Sequence, residues 1–285
     1  MRILVTGLNG FTGHYVKTAL QNSGHEVVGL VSDLRDYDAL ALEIKALNPS
    51  AVIHLAAIAF VGHGNANAFY EVNLIGSRNL LEALAQHAPE VKSILLASSA
   101  NIYGNRSEGS IGEDALPDPA NDYAVSKYSM ELMGKLWSNT LPITFTRPFN
   151  YTGVGQSSDF LIPKIIAHFK AKKSIIELGN LDVWREFNDV RFIADSYVKL
   201  IEQASLLSGQ AVNICTGKAY SLREVIALCE EISNHKIELH VNPQFVRANE
   251  VSVLKGSKKL LEQTIGSNTE YDLKQTLKWM LGIEK

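Results

Sequence analysis

Tyr123 and Lys127 stand four residues apart in the stretch Tyr-Ala-Val-Ser-Lys, a spacing that puts a phenol and an ammonium on one face of a helix. A phenol with a pKa of about 10 carries protons poorly at neutral pH, and a neighbouring positive charge favours the phenolate and lowers that value. The pair can then serve as a general acid or base. The same spacing also arises on solvated helices, where a lysine lies beside an amphipathic tyrosine. Ser98 and Ser99 change the balance, because they end the apolar run 93–99. A hydroxyl at the carboxyl end of a strand lies where the crevice of an open α/β sheet forms, so Ser99 is placed to bond the oxygen that Tyr123 protonates.

A second stretch with chemistry opens the chain. Gly7, Gly10 and Gly13 follow an apolar strand over 2–6 at GxxGxxG spacing and lead into a helical pattern. One glycine allows a sharp turn, one lets the backbone approach a pyrophosphate, and one packs the helix against the sheet. The helix N-terminus adds free N–H donors and a favourable dipole for negative charge. Ala56 and Ala57 end the apolar run 51–57, and such small side chains let a flat ligand lie against the backbone. His54, inside that run, reads as a packed strand residue. Where a dinucleotide fold places an acid for the ribose, at the end of the strand over 26–31, stand Val31 and Ser32. Asp33 follows and can take a ribose or the adenine edge, while Arg35 can neutralise a 2′-phosphate. The cofactor is therefore NADP or NAD, with NADPH favoured.

Positioning these groups takes alternating elements. Helical patterns over 13–22, 38–47, 69–86 (containing Asn73) and 123–137 separate strands at 2–6, 26–31, 51–57, 93–99 and 143–147. That alternation predicts an α/β fold, a Rossmann doubly wound parallel sheet with right-handed crossovers. After Pro148 it weakens. Gly153, Gly155, Gly179 and Gln156-Ser157-Ser158-Asp159 mark loops around a helix over 162–170, followed by a helix over 193–203, a strand over 211–214, a helix over 222–232 and a strand over 236–241. The expected organisation is a cofactor lobe of residues 1–150, to which 190–214 return, and a smaller, discontinuous α/β substrate lobe of 151–189 and 215–285.

A chain of 285 residues can bury a full core, and a net charge of −3 argues for neither nucleic acid nor an anionic membrane as partner. No apolar run is long enough to span a bilayer and the first residues serve as a strand, so a cytoplasmic protein is expected. Cys215 and Cys229 are too few for a disulfide framework and fit no metal-ligand spacing. Both are expected as small core residues.

Taken together, Gly7-x-x-Gly10-x-x-Gly13, His54-Leu55-Ala56-Ala57, Ser98-Ser99-Ala100-Asn101-Ile102-Tyr103-Gly104 and Tyr123-x-x-x-Lys127 resemble the extended short-chain dehydrogenase/reductase family acting on nucleotide sugars. Arg147-Pro148-Phe149-Asn150, Gly153-Val154-Gly155-Gln156, Arg185-Glu186-Phe187-Asn188-Asp189-Val190 and Asn213-Ile214-Cys215-Thr216-Gly217 are similar to its substrate-lobe signatures, so the likeness covers nearly the whole chain. The combination is most similar to the branch of GDP-4-keto-6-deoxy-D-mannose reductases.

The resemblance implies that Tyr123 is the acid-base residue, that Lys127 holds the nicotinamide ribose and depresses the tyrosine pKa, and that Ser99 assists at the reacting oxygen. It implies cofactor contacts at Gly7, Asn9, Gly10, Phe11, Thr12, Gly13, Ser32, Asp33, Leu34, Leu55, Ala56, Ala57, Asn73 and Pro148, besides Tyr123 and Lys127. Substrate contacts are implied at Phe60, Ser99, Asn150, Arg185 and Arg247, and no metal is. An arginine fork suits a diphosphate, and Trp184 and Phe187 beside Arg185 suggest its partial burial.

Departures also carry meaning. The family's sugar 4,6-dehydratases have an acidic pair directly after the active-site Ser/Thr, and here Ala100 and Asn101 stand there. The segment after the second strand is short, and Phe192 replaces a common acidic residue. The expected activity is reduction by NAD(P)H of the C4 ketone of a nucleotide 4-keto-6-deoxy sugar, giving GDP-D-rhamnose or GDP-6-deoxy-D-talose. An NAD-dependent nucleotide-sugar 4-epimerase uses the same groups, and a non-catalytic NAD(P)-binding redox sensor can share the fold. The resemblance further suggests a homodimer paired through the helices over 69–86 and 123–137.

Overall fold

The computed structural model describes residues 1–60, 64–104, 109–203, 207–245 and 253–283. The chain opens with β1 (Arg2–Thr6), α1 (Phe11–Asn22), β2 (Glu26–Gly29), α2 (Tyr37–Leu47) and β3 (Ala51–His54). Next come α3 (Ala66–Phe69), a π-helical segment (Tyr70–Gly76), α4 (Ser77–His87), β4 (Ile94–Ala97), β5 (Ser110–Ile111), α5 (Asp122–Lys135) and β6 (Ile143–Pro148). Beyond Pro148 follow β7 (Tyr151–Thr152), α6 (Leu161–Lys170), β8 (Ile175–Leu178), β9 (Trp184–Glu186), β10 (Asn188–Asp189), α7 (Val190–Gln203) and β11 (Ala211–Ile214). The last elements are β12 (Ala219–Ser221), α8 (Leu222–Ser233), β13 (Glu238–Val241), β14 (Val253–Gly256), α9 (Lys259–Ile265) and α10 (Leu273–Leu281).

Six strands form one parallel sheet in the order β2-β1-β3-β4-β6-β11. Helices cover both faces, which is why the strands read as unbroken apolar runs. Ile3 and Val5 point into a core shared with α1 and α7, while Leu4 between them points into the opposite core with α2, α4 and α5. The chain leaves β1 for β2 on one side and returns to β3 on the other. The resulting switch point, outside the carboxyl ends of β1 and β3, is where an open sheet of this kind takes its ligand.

The strand ends differ from expectation in a consistent way. The strands expected to reach residues 57 and 99 stop at His54 and Ala97. One residue past those points the backbone leaves the ladder: Ala56 N–H donates to the Thr6 hydroxyl at 3.1 Å, and Asn101 N–H to the Ser99 hydroxyl at 3.1 Å. The helix expected over 69–86 is likewise three pieces, α3, the π-helical segment and α4, and Asn73 lies in the wound-out part. Phe192 is a core residue at the start of α7, 2% exposed. An acid could not occupy that position without losing its solvation.

A second core lies beyond Pro148, where Ile165, Phe169, Val225 and Leu277 of α6, α8 and α10 pack with Ile176 and Leu178 of β8. The sheet order there is β12-β9-β14-β5. Its last strand comes from the first half of the chain, Ser110 and Ile111 pairing with Lys255 and Gly256. Cys215 and Cys229 are free and buried, as expected of small core residues.

Candidate active site

The glycine turn is built by close approach. Gly7 sits at φ +70°, and a Cβ there would lie 2.9 Å from the Ala56 nitrogen. A Cβ on Gly13 would strike the carbonyl oxygen of Gly7, so α1 meets the turn with no room for a side chain. Gly10 N–H closes the turn on Gly7 O at 2.9 Å, and the first bond of α1 runs from His14 N–H to Gly10 O at 3.0 Å. The amides of Phe11, Thr12 and Gly13 thus belong to the first helical turn, whose N–H groups have no helical acceptor. Asn9 is exposed beside them. Tyr151, which sequence reasoning missed, closes this end: its hydroxyl pairs with Thr12 Oγ1 at 2.8 Å and its ring stacks on Phe11 with centroids 6.2 Å apart. A tyrosine three residues past Pro148 gave no periodic signal.

Around the end of β2 the expected contacts divide. The Asp33 carboxylate is bound by Arg35 at 2.6 Å, and the guanidinium draws its pKa down to about 2. Ser32 N–H donates to Glu43 at 2.7 Å. Leu34 is a core residue, 6% exposed, whose carbonyl accepts from Asn79 at 2.9 Å. Leu55 N–H continues the β1 ladder on Thr6 O at 3.3 Å, followed by Ala56 and the half-buried Ala57. Asn73 is fully buried with its amide already engaged: Nδ2 donates to Ile58 O and Ser126 Oγ, and Oδ1 accepts from Ile58 N–H. It therefore ties the β3 loop to α5. Pro148 is half-buried at the end of β6.

Ser99, Tyr123 and Lys127 come together. The Asn121 side chain caps α5 by accepting from Ala124 N–H at 2.9 Å, and Tyr123 follows in the first turn. Burial pushes the Tyr123 phenol up to about 12, opposed by the nearby Ser99 hydroxyl. One turn later Lys127 is buried, its Nζ donating to Ala97 O at 2.7 Å, and burial draws it down to about 8 while Glu131 raises it. At the phenol the loss of phenolate solvation on burial is the dominant influence. Behind Lys127, Glu131 receives two bonds from Arg147 at 2.7 and 3.0 Å, and Arg147 donates to the Tyr103 hydroxyl at 2.8 Å. Tyr103 O–H donates to Asn213 Oδ1 at 2.7 Å. Glu131, four residues past Lys127, was the readable signal of this network. Ser98 Oγ is a buried hydroxyl with no hydrogen-bond partner among the described residues.

The substrate-side residues are more dispersed. Phe60 meets Phe160, just before α6, edge to face with centroids 5.9 Å apart, so the β3 loop touches the second lobe. Asn150 is exposed, its carbonyl accepting from Asn188 N–H at 2.9 Å. Arg185 stands on β9, half-buried as its aromatic neighbours implied, and donates to Trp184 O at 2.9 Å. Arg247 lies outside the described residues. No group of three His, Cys, Asp or Glu side chains able to hold a metal occurs among the described residues. No described helix is long and apolar enough to cross a membrane.

The tight turn that Gly7 and Gly13 allow, with the free amides at the start of α1, fits the pyrophosphate of a dinucleotide. Comparison with known proteins agrees. The chain is 35% identical to GDP-6-deoxy-D-talose 4-dehydrogenase of Aggregatibacter actinomycetemcomitans, covering 95% of this chain and 93% of that one. It is 32% identical to GDP-6-deoxy-D-mannose reductase of Pseudomonas aeruginosa, covering 98% and 96%. Among solved structures, a Burkholderia cenocepacia J2315 protein provisionally described as an epimerase superposes with a TM-score of 0.93 at 43% identity, covering 99% and 97%. The Pseudomonas aeruginosa structure described as RMD complexed with NADPH gives 0.88 at 31%, covering 99% and 96%. Residues 3–215 match the model of the NAD dependent epimerase/dehydratase family. The chain belongs to that family.

Proposed function

We propose that this enzyme reduces the C4 ketone of a GDP-4-keto-6-deoxyhexose with NADPH, giving GDP-D-rhamnose or GDP-6-deoxy-D-talose. The observation that carries the reading is the buried Tyr123 phenol, beside the buried Ser99 and held in its protonated form. Bound dinucleotide supplies a hydride to the ketone carbon. Tyr123 donates its proton to the carbonyl oxygen, and Ser99 hydrogen-bonds that oxygen as negative charge develops on it. Lys127 keeps a positive charge one helical turn away, oriented by Ala97 O. The amides at the start of α1 and the bare backbone at Gly7 and Gly13 hold the pyrophosphate, and Arg35 takes the 2′-phosphate. Arg185 and Arg247 hold the GDP diphosphate, with Asn150 and Phe60 nearer the sugar.

Ala100 and Asn101 support reduction rather than dehydration, because neither can act as the acid or base that elimination of water requires. Residues 1–150 with 190–214 supply most of the cofactor lobe, and 151–189 with 215–285 most of the substrate lobe, with β5 crossing to the second sheet and Leu261 of α9 packing in the first core. The reading implies a cytoplasmic enzyme, since it consumes a reduced nicotinamide cofactor and a nucleotide sugar. It works as a homodimer: Ile75 of the π-helical segment, Leu132 of α5 and Leu136 just past it are exposed apolar residues that a partner copy can cover. Sedimentation at micromolar concentration tests this, and a monomer would end it.

Turnover of GDP-4-keto-6-deoxy-D-mannose with NADPH or NADH, with identification of the sugar product, tests the activity. A second reading, a 4-epimerase, is favoured by the likeness to the Burkholderia protein. Activity on a fully hydroxylated nucleotide sugar, with NAD retained through purification, would establish it.

A further inference from the structure

His54 is 1% exposed and bonded at both ring nitrogens, to Thr6 Oγ1 at 2.6 Å through Nδ1 and to Ser77 Oγ at 2.8 Å through Nε2. The outer partners fix the direction of these bonds. Ser77 donates its one hydroxyl proton to Asn73 O at 2.6 Å, so it accepts from His54 Nε2–H. Thr6 Oγ1 accepts Ala56 N–H at 3.1 Å and gives its proton to the remaining ring nitrogen, Nδ1. A directed chain thus runs from Ala56 N–H through Thr6, His54 and Ser77 to the Asn73 carbonyl. From the Asn73 side chain a second path continues, Nδ2 donating to Ser126 Oγ at 3.0 Å and Ser126 donating to Tyr123 O at 2.8 Å.

An imidazolium would break this chain. Its Nδ1–H would face the Thr6 hydroxyl, whose proton would then lose its acceptor in a buried site. Burial first, and then the charge of Lys127, the cation facing the ring, hold His54 down to about 3.

We propose that His54 is a positioning residue, locked as the neutral Nε2–H tautomer, which ties the Ala56 backbone under Gly7 to Asn73 and through Ser126 to the backbone of Tyr123. One buried chain then sets both the floor of the cofactor cradle and the start of the catalytic helix. The inference rests on the cofactor and Tyr123 reading above. It differs from general acid-base use of the histidine, for which the ring would have to exchange protons.

The first test needs no variant and no turnover. Nitrogen NMR of wild-type protein labelled at histidine is expected to show His54 as the neutral Nε2–H tautomer from about pH 5 to about pH 9. An Nδ1–H tautomer, or an imidazolium within that range, overturns the proposal. The second test is His54→Phe, which fills similar space, leaves the Thr6 hydroxyl proton without its acceptor and removes the ring donor to Ser77. NADPH is expected to bind at least about fivefold more weakly, the cost of an unsatisfied buried group, with lower kcat and an unchanged pH profile. Adding Thr6→Val is expected to cost little more, since the chain is already broken. A folded His54→Phe enzyme with unchanged NADPH affinity and kcat contradicts the proposal, as does one that loses a limb of its pH profile. Failure of the cofactor reading is distinguishable, because wild-type protein would then bind no NADPH in the same titration.

Discussion

On the proposed reading, Tyr123 must keep its proton until a carbonyl oxygen arrives, and Lys127 must keep its charge in a dry site. Burial makes the first easier and the second harder. Lys127 titrates at about 8 and Tyr123 at about 12, so kcat/KM is expected to fall as pH rises through about 8 while the phenol stays protonated. A profile flat to well above that point would exclude Lys127 as the group that sets it. The same depression affects stability. Between about 8 and the ordinary lysine value of 10.5, the unfolded chain binds the proton that the folded protein has lost, so this group's contribution to stability rises with pH across that window. Denaturant midpoints at the two ends would measure it. Tyr123→Phe is expected to lower kcat by roughly 10²- to 10⁴-fold with NADPH affinity retained, since it removes the proton and little volume. At this scale Ser99, Tyr123 and Lys127 were legible because their chemistry follows from type and spacing. The engagement of Asn73 and the role of Tyr151 were not, since both depend on partners distant in sequence.

Elements bring those partners together, and the glycine turn shows how little tolerance they have. A Gly13→Ala methyl would meet the Gly7 carbonyl oxygen, a backbone atom that cannot swing aside, and Gly7→Ala would add a positive φ to contact with Ala56. Both variants are expected to weaken NADPH binding by more than about tenfold and to lower the Tm, which calorimetry and titration would report. Gly64→Ala meets nothing within 4 Å and is the control expected to leave both unchanged. The order of strands and helices was readable from apolar periodicity. The π-helical segment was not, because no pattern of apolar residues marks it, and the bonds that Asn73 makes within it go to Ile58 and Ser126, distant in sequence. Strand ends were overrun for a related reason: apolar residues continue past the ladder to line the crevice.

Across the molecule, the Glu131–Arg147 pair joins the catalytic helix to β6 and, through Tyr103 and Asn213, to β11. Asn213 in turn donates to Ile111 O at 3.0 Å, on the strand that edges the second sheet. Removing one partner of such a buried pair leaves the other uncompensated, so Glu131→Ala is expected to cost about 3–5 kcal/mol in urea unfolding. A cost below about 1 kcal/mol would mean that the network does not hold the two halves together. The weaving of Ser110 and Ile111 into the far sheet was illegible in sequence, since a two-residue strand has no period. The central claim, that hydride goes to a sugar ketone while Tyr123 supplies the proton, is tested most directly with deuterated NADPH and GDP-4-keto-6-deoxy-D-mannose. The predicted result is one deuterium at C4 of the product for each cofactor oxidised. A sugar altered at C4 without label, with no cofactor consumed, would contradict it.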